Sequence, residues 1–269
     1  QRESVFLEWI SSRRLAIPLA TGKTDWKPFL RRFDKAGGIM YWQEDQDKGE
    51  HFVVPEDVQD LLFSITCRDL PLDHGFVLSQ QILQHLPWMQ DEPQAAIHQI
   101  HVAESANGWM RPDNPETEVL CVSRRTKMTI RLPASRLKDA AALCGKTLDI
   151  QGHLLKVGEF STRKLSRLTT IFARYVDTDG TSDETEFLGN MQQQLLQKGI
   201  RVKKMMSGRL LTHQTDDGII LTRKLMVSDL SVEESVLLQE QGIGDRKLMG
   251  MGIFMPHKGI DAVNKKQES

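Results

Sequence analysis

The sequence predicts an α+β protein made of two tandem ferredoxin-like (RRM-like) domains, each running β-α-β-β-α-β. Three observations predict it. Stretches with strand and helix patterning follow one another in that order twice along the chain. Turn and cap signals separate them, among them Asp217-Gly218 between two apolar strands and Ser231-Val232-Glu233-Glu234 ahead of a helix. A length of 269 residues is enough for two small domains. The expected division is 1–58 as an N-terminal extension, 59–165 and 166–262 as the two ferredoxin-like domains, and 263–269 as a polar tail.

In the extension, helices are expected over 5–14 and 26–33, and a small hairpin over 39–43 and 51–54. In the first domain a strand over 61–68 leads to Asp73 as N-cap of a helix over 75–86, which Pro87 stops. A strand over 95–102 and a long loop over 103–117 follow. Strands over 118–123 and 127–132 precede a helix from Pro133 to Leu143, then a hairpin over 147–150 and 153–157. The second domain opens with a strand over 168–176 and a helix over 184–198. Strand segments follow over 200–206, 209–215 and 218–227. A helix to Gln241 and a last strand over 253–255 complete it.

Composition narrows the function classes. Hydrophobic residues make 39% and charged residues 26%, ordinary for a globular protein, and no apolar run approaches a membrane span. Cys67, Cys121 and Cys144 are three sparse cysteines without metal-ligand spacing, which fits buried free thiols, a reducing compartment and a cytoplasmic protein. The chain begins at Gln1, so an N-terminal address could precede it. Net charge is −1, yet residues 121–177 carry twelve basic side chains against four acidic ones. Such asymmetry points to a polyanion on one face.

One stretch stands out: Gly242-Ile243-Gly244-Asp245-Arg246-Lys247-Leu248-Met249-Gly250-Met251-Gly252. Two Gly-x-Gly pairs flank five residues, two of them basic. Such a loop can turn successive backbone N–H groups toward an anion, and Arg246 and Lys247 add charge there. The same pattern also suits a plain helix-to-strand turn.

Taken with the segments 70–78 (LPLDHGFVL), 131–133 (RLP), 230–235 (LSVEES) and 254–258 (FMPHK), this loop resembles the CRISPR repeat-processing endoribonucleases. These are tandem ferredoxin-like nucleases, and the likeness is nearest to their myxobacterial-type subgroup. It covers roughly 60–260 and leaves the extension outside. It implies metal-independent cleavage of CRISPR repeat RNA within its precursor, without a cofactor. The partners it implies are the repeat hairpin and the other subunits of a CRISPR effector complex, including those of CRISPR-associated transposons. A repeat-RNA binder that does not cleave is the alternative, and residues 1–58 are a candidate docking segment under either reading.

Cleavage of this kind uses the 2′-hydroxyl of the RNA as nucleophile and asks the protein for alignment, proton transfer and charge stabilisation. Among eight histidines the resemblance favours His74, at the entry of the first helix, where the dipole favours a neutral imidazole. His98 is second. It lies three residues from His101 on an expected strand, so the two point to opposite sides. The RNA-binding residues expected are Gly242, Gly244, Gly250 and Gly252 with Arg246 and Lys247, the group Arg124, Arg125 and Lys127, and Arg163 with Lys164. Lys203, Lys204 and Arg209 form a further basic group.

Overall fold

The structure, a computed structural model, describes residues 52–102 and 119–257. The helices expected over 5–14 and 26–33, the strand over 39–43, the loop over 103–117 and the tail over 263–269 lie outside the described residues. Residues 52–54, expected as hairpin, carry no strand.

The first half is built on β1 (Val58–Thr66), whose alternation sends Leu61, Phe63 and Ile65 to one face and Asp60 and Ser64 to the other. After the short β2 (Asp69–Pro71) comes α1 (Gly75–His85). Its Leu78 and Ile82, one turn apart, cover the apolar face of β1. The chain continues through β3 (Ala96–Ile97), β4 (Val119–Cys121), β5 (Lys127–Pro133), α2 (Leu137–Ala140), β6 (Thr147–Ile150) and β7 (His153–Lys164). The sheet order is β3-β5-β1-β7-β6, every pair antiparallel. This is the ferredoxin-like order with β6 added at the edge as hairpin partner of β7.

The second half contains β8 (Ile171–Asp177), α3 (Glu184–Gln197), β9 (Lys204–Thr215), β10 (Gly218–Ser228), α4 (Val232–Gln241) and β11 (Phe254–Pro256). Its sheet order, β11-β8-β10-β9, is again ferredoxin-like. Phe187, Met191 and Leu195 of α3 and Leu238 of α4 bury against Ile171, Ala173, Leu225, Val227 and Phe254. Asp183 caps α3, and Ser231 with Glu234 forms the expected capping box of α4. The fold class read from the sequence is therefore the observed one. No helix of the described residues is long and apolar enough to cross a membrane.

Several elements differ from expectation. The helix expected from Pro133 to Leu143 is a 3-10 turn, the four-residue α2 and a second 3-10 turn. Its inward residues Leu137, Ala140 and Leu143 recur every three positions, the period of a 3-10 helix rather than of an α-helix. The strand expected over 95–102 is only Ala96–Ile97; the His98 N–H still reaches the Thr129 carbonyl at 3.0 Å, and beyond it the N–H of Ile100 is taken by a histidine ring. The segments 200–206 and 209–215 are not two strands. Lys204–Thr215 is one strand, paired with β10 across a bulge at Arg223 and Leu225. The strand over 153–157 continues to Lys164, pairing with β1 across a bulge at Phe63 and Ile65. Strand β4 pairs with β2 in a separate two-stranded sheet. The cysteines are not buried: Cys121 is exposed, and Cys67 and Cys144 are half-buried.

Candidate functional site

The two halves are joined through a buried charge. Alternation along β5 sends Met128, Ile130 and Leu132 into the core and turns Arg131 to the opposite face. There Arg131, 1% exposed, donates from Nε to Asp60 Oδ1 at 2.7 Å and from Nη2 to Asp60 Oδ2 at 3.3 Å. Its Nη1 donates to the carbonyl oxygens of Gln239 at 2.6 Å and Phe254 at 3.0 Å, both in the second half. Arg163 adds a bond to Asp60 Oδ2 at 3.0 Å. Burial works to raise the pKa of Asp60. The charge of Arg131, then that of His98 once acid has protonated it, and the hydrogen bonds from Arg131 and Arg163 outweigh it and hold the carboxyl well below its usual range.

His98 borders this cluster, with Nε2 3.8 Å from Asp60 Oδ1. Burial pushes its pKa down to about 3, only partly countered by Asp60, so the ring is neutral at physiological pH. At 7% exposure it is poorly placed to meet RNA directly.

His74 is 1% exposed. Its Nε2 accepts the N–H of Ile100 at 2.9 Å, so Nδ1 carries the proton and donates to the carbonyl of Pro71 at 2.8 Å. Both ring nitrogens therefore serve backbone groups. His74 is itself the N-cap residue of α1 and makes no side-chain cap. Asp73, expected as the cap, turns away to the second half: its Oδ1 is 2.8 Å from Nδ1 of His213, and its Oδ2 accepts the N–H of Gln214 at 2.6 Å. His213 lies within β9, also 3.1 Å from Thr222 Oγ1 and 7% exposed.

From His213 a row of rings leads outward. Tyr175 stands edge-on to His213 at 4.7 Å between centroids, and His101 stacks on Tyr175 at 5.9 Å. His101 and Tyr175 line a cleft together with His98, Gln99, Arg174, Gly250, Ile253 and Met255. His101 is half-buried, unlike His74 and His98. The placement of Tyr175 and Arg174 here was not foreseen from the sequence. The signal available was the His98-x-x-His101 spacing followed by one of only two tyrosines in the chain, on a central strand.

The glycine loop borders this cleft through Gly250. A Cβ on Gly242 would lie 2.6 Å from the carbonyl oxygen of Gly252, and one on Gly252 would collide with the carbonyl of Ile243. The two ends of the loop are pinned by Ile243 N–H to Gly252 O at 2.9 Å and Gly252 N–H to Tyr175 O at 2.7 Å. Gly250 comes so near Gln99 that a Cβ would sit 2.5 Å from its Cγ, and Gln99 donates to the carbonyl of Met249 at 3.2 Å. Gly244 faces open space. The basic pair is engaged within the protein. Arg246 binds Asp177 Oδ2 at 2.6 Å, and Lys247 Nζ donates to the carbonyls of Pro93 at 2.5 Å and Gln241 at 2.9 Å. Burial first, then Lys198, lowers the Lys247 pKa.

The remaining expected contacts lie elsewhere. Arg124, Arg125 and Lys127 are exposed at the β4–β5 turn, and exposed Lys164 pairs with Glu56 at 2.5 Å.

A family model described as "Cas6 Crispr" matches residues 59–259. The chain belongs to the Cas6 family. It is 27% identical over 197 residues to the "CRISPR-associated endonuclease Cas6" of Myxococcus xanthus, an alignment covering 73% of this Cas6-family chain and 80% of that protein. Among solved structures, it resembles a Cas6-related protein of Pyrococcus furiosus with a TM-score of 0.53 and 14% identity, covering 75% of this chain and 99% of that one. It also resembles "An RAMP protein binding different RNA substrates" with a TM-score of 0.54 and 14% identity, covering 74% and 100%. At such identities the structural likeness concerns the fold alone.

Proposed function

We propose that this chain is a site-specific endoribonuclease that cleaves CRISPR repeat RNA in the precursor transcript, without a metal, and keeps the repeat hairpin bound within an effector complex. The observation that carries the reading is the cleft of a Cas6-family chain in which His101, Tyr175 and Arg174 meet beside the glycine loop. Attack of a 2′-hydroxyl on the adjacent phosphorus forms a P–O2′ bond and breaks the P–O5′ bond. It leaves a 2′,3′-cyclic phosphate and a 5′-hydroxyl. The imidazole of His101 exchanges the protons and Arg174 faces the charge on the phosphorane. The glycine loop presents its 244–248 segment to the RNA backbone, and Arg124, Arg125 and Lys127 reach phosphates of the stem.

The test is incubation of the cognate repeat RNA with EDTA present. A single cut that persists in EDTA and disappears when the nucleotide 5′ to the scissile phosphate carries a 2′-deoxy sugar supports the reading. Cleavage of that deoxy substrate overturns the mechanism. A second reading, a repeat-RNA binder that does not cleave, is favoured by the engagement of both His74 nitrogens with backbone groups. Tight binding with no product selects it.

A further inference from the structure

The face of the second sheet that α3 and α4 leave uncovered carries an ordered stripe. Register places Met255 beside Phe172, Phe172 beside Met226, and Met226 beside Met206, one residue on each of the four strands. Their neighbours Phe254, Ala173, Leu225 and Met205 pack in or against the helix-covered core, so alternation turns the stripe the other way. Met255, Phe172 and Met226 are half-buried, and Met206 is 58% exposed.

Two cations sit over the ring of Phe172. The Arg174 guanidinium lies 5.3 Å and the Lys224 ammonium 5.0 Å from the Phe172 ring centroid. His257 meets Phe172 edge-on at 5.7 Å, and exposed Lys204, opposite Ser228, is paired with Asp229 at 2.8 Å. Strands β8 to β11 contain one acidic residue, Asp177, at the end of β8 and held by Arg246. An apolar, partly aromatic floor with cations set against its central ring suits flat uncharged bases strung on a phosphate backbone. Protein-binding surfaces, by contrast, are depleted in lysine.

We propose that this face, with Phe172 at its centre, binds unpaired nucleotides of RNA. One base packs against Phe172 and its cations, and its neighbours lie on the methionines, while Lys224 meets a phosphate. The inference deepens the proposed function by giving a single-stranded segment flanking the repeat hairpin its own place. The stripe ends at Met255, which also lines the His101 cleft, so a strand leaving the cleft can run onto it.

The experiment uses the full chain, a fluorescein-labelled 12-mer of oligouridylate, which does not pair with itself, and the repeat hairpin trimmed of its flanks. Phe172→Ala is expected to weaken binding of the 12-mer by about 5- to 150-fold, the range for loss of one stacked base. Lys224→Gln should lower the slope of log affinity against log salt by about 1. Phe172 lies outside the buried core, so the circular-dichroism melt of Phe172→Ala should match that of the parent. Binding of the trimmed hairpin should stay unchanged in both variants.

Equal 12-mer affinity in parent and a folded Phe172→Ala variant overturns the inference. So does failure of the parent to bind the 12-mer, or loss of a protein subunit rather than RNA on Phe172→Ala. If the trimmed hairpin is bound and cut while the 12-mer ignores Phe172, the sheet inference alone fails. If the hairpin is not bound either, the proposed function fails with it.

Discussion

Arg131 and Phe254 lie 123 residues apart and meet at 3.0 Å, guanidinium to carbonyl oxygen. Through that bond and its partner to Gln239, the buried pair Arg131–Asp60 ties the first sheet to the last strand and helix of the second half. Removing one member leaves the other charged and buried. Arg131→Met is therefore expected to cost about 3–5 kcal/mol of stability. Asp60→Leu added to Arg131→Met should recover part of that loss, because the uncompensated carboxylate disappears. Urea denaturation of the parent and the two variants checks this. A loss below about 1 kcal/mol in the single variant would show that water reaches the pair.

The same cluster sets an acid limit. His98 has a depressed folded pKa of about 3 against an ordinary 6.5. Between those values the unfolded chain takes up a proton that the folded chain refuses, so stability falls as pH drops through that window. Arg131, Arg163 and Arg174 reinforce the refusal, and Asp60 opposes it. Asp60, depressed as well, contributes stability above its ordinary value of 3.8 that is lost as pH falls below it. The urea midpoint should decline from about pH 6.5 and steepen below about pH 4. His98→Gln should flatten the upper part of the decline and leave the lower part. An unchanged upper slope would remove His98 from the account.

The four glycines of the loop should not behave alike. Gly252 has φ of +71° and no room for a Cβ, since the Ile243 carbonyl occupies the position. Gly244 has a similar φ of +70° but faces open space. Gly244→Ala then costs only the left-handed backbone, about 1–2 kcal/mol. Gly252→Ala must also move the loop, and should lower the melting temperature further and weaken RNA binding more. Similar melting shifts for the two would mean that the loop gives way easily.

The fold was legible because its signals are local: alternation in β1 and β8, the Asp217-Gly218 turn, the Ser231 capping box. The site was legible only where it follows the chain. The glycine loop fell where its spacing placed it, yet the tasks of its cations depend on partners such as Pro93 and Asp177, far away in sequence. Asp73 has the chemistry of an N-cap, and a histidine 140 residues away claims it instead. Arg131 reads as one more surface charge until the register of β5 turns it inward. Sequence patterning shows which face a side chain takes within its own element, but not which second element meets that face.

The two histidines nearest the expected chemistry should separate by readout. His74 serves two buried backbone groups, the Pro71 carbonyl and the Ile100 N–H. His74→Ala leaves both without their partner, at about 1–3 kcal/mol each. The expected result is a less stable protein whose surviving folded fraction, counted by active-site titration with repeat RNA, still cuts. His101 is half-buried in the cleft, stacked on Tyr175. His101→Ala should keep its melting temperature within a few degrees and bind repeat RNA as before. Its single-turnover cleavage should fall about 10²- to 10⁴-fold, the usual worth of a positioned acid or base. Cleavage unchanged in His101→Ala but abolished in the folded fraction of His74→Ala would reverse the assignment and return the chemistry to the helix entry.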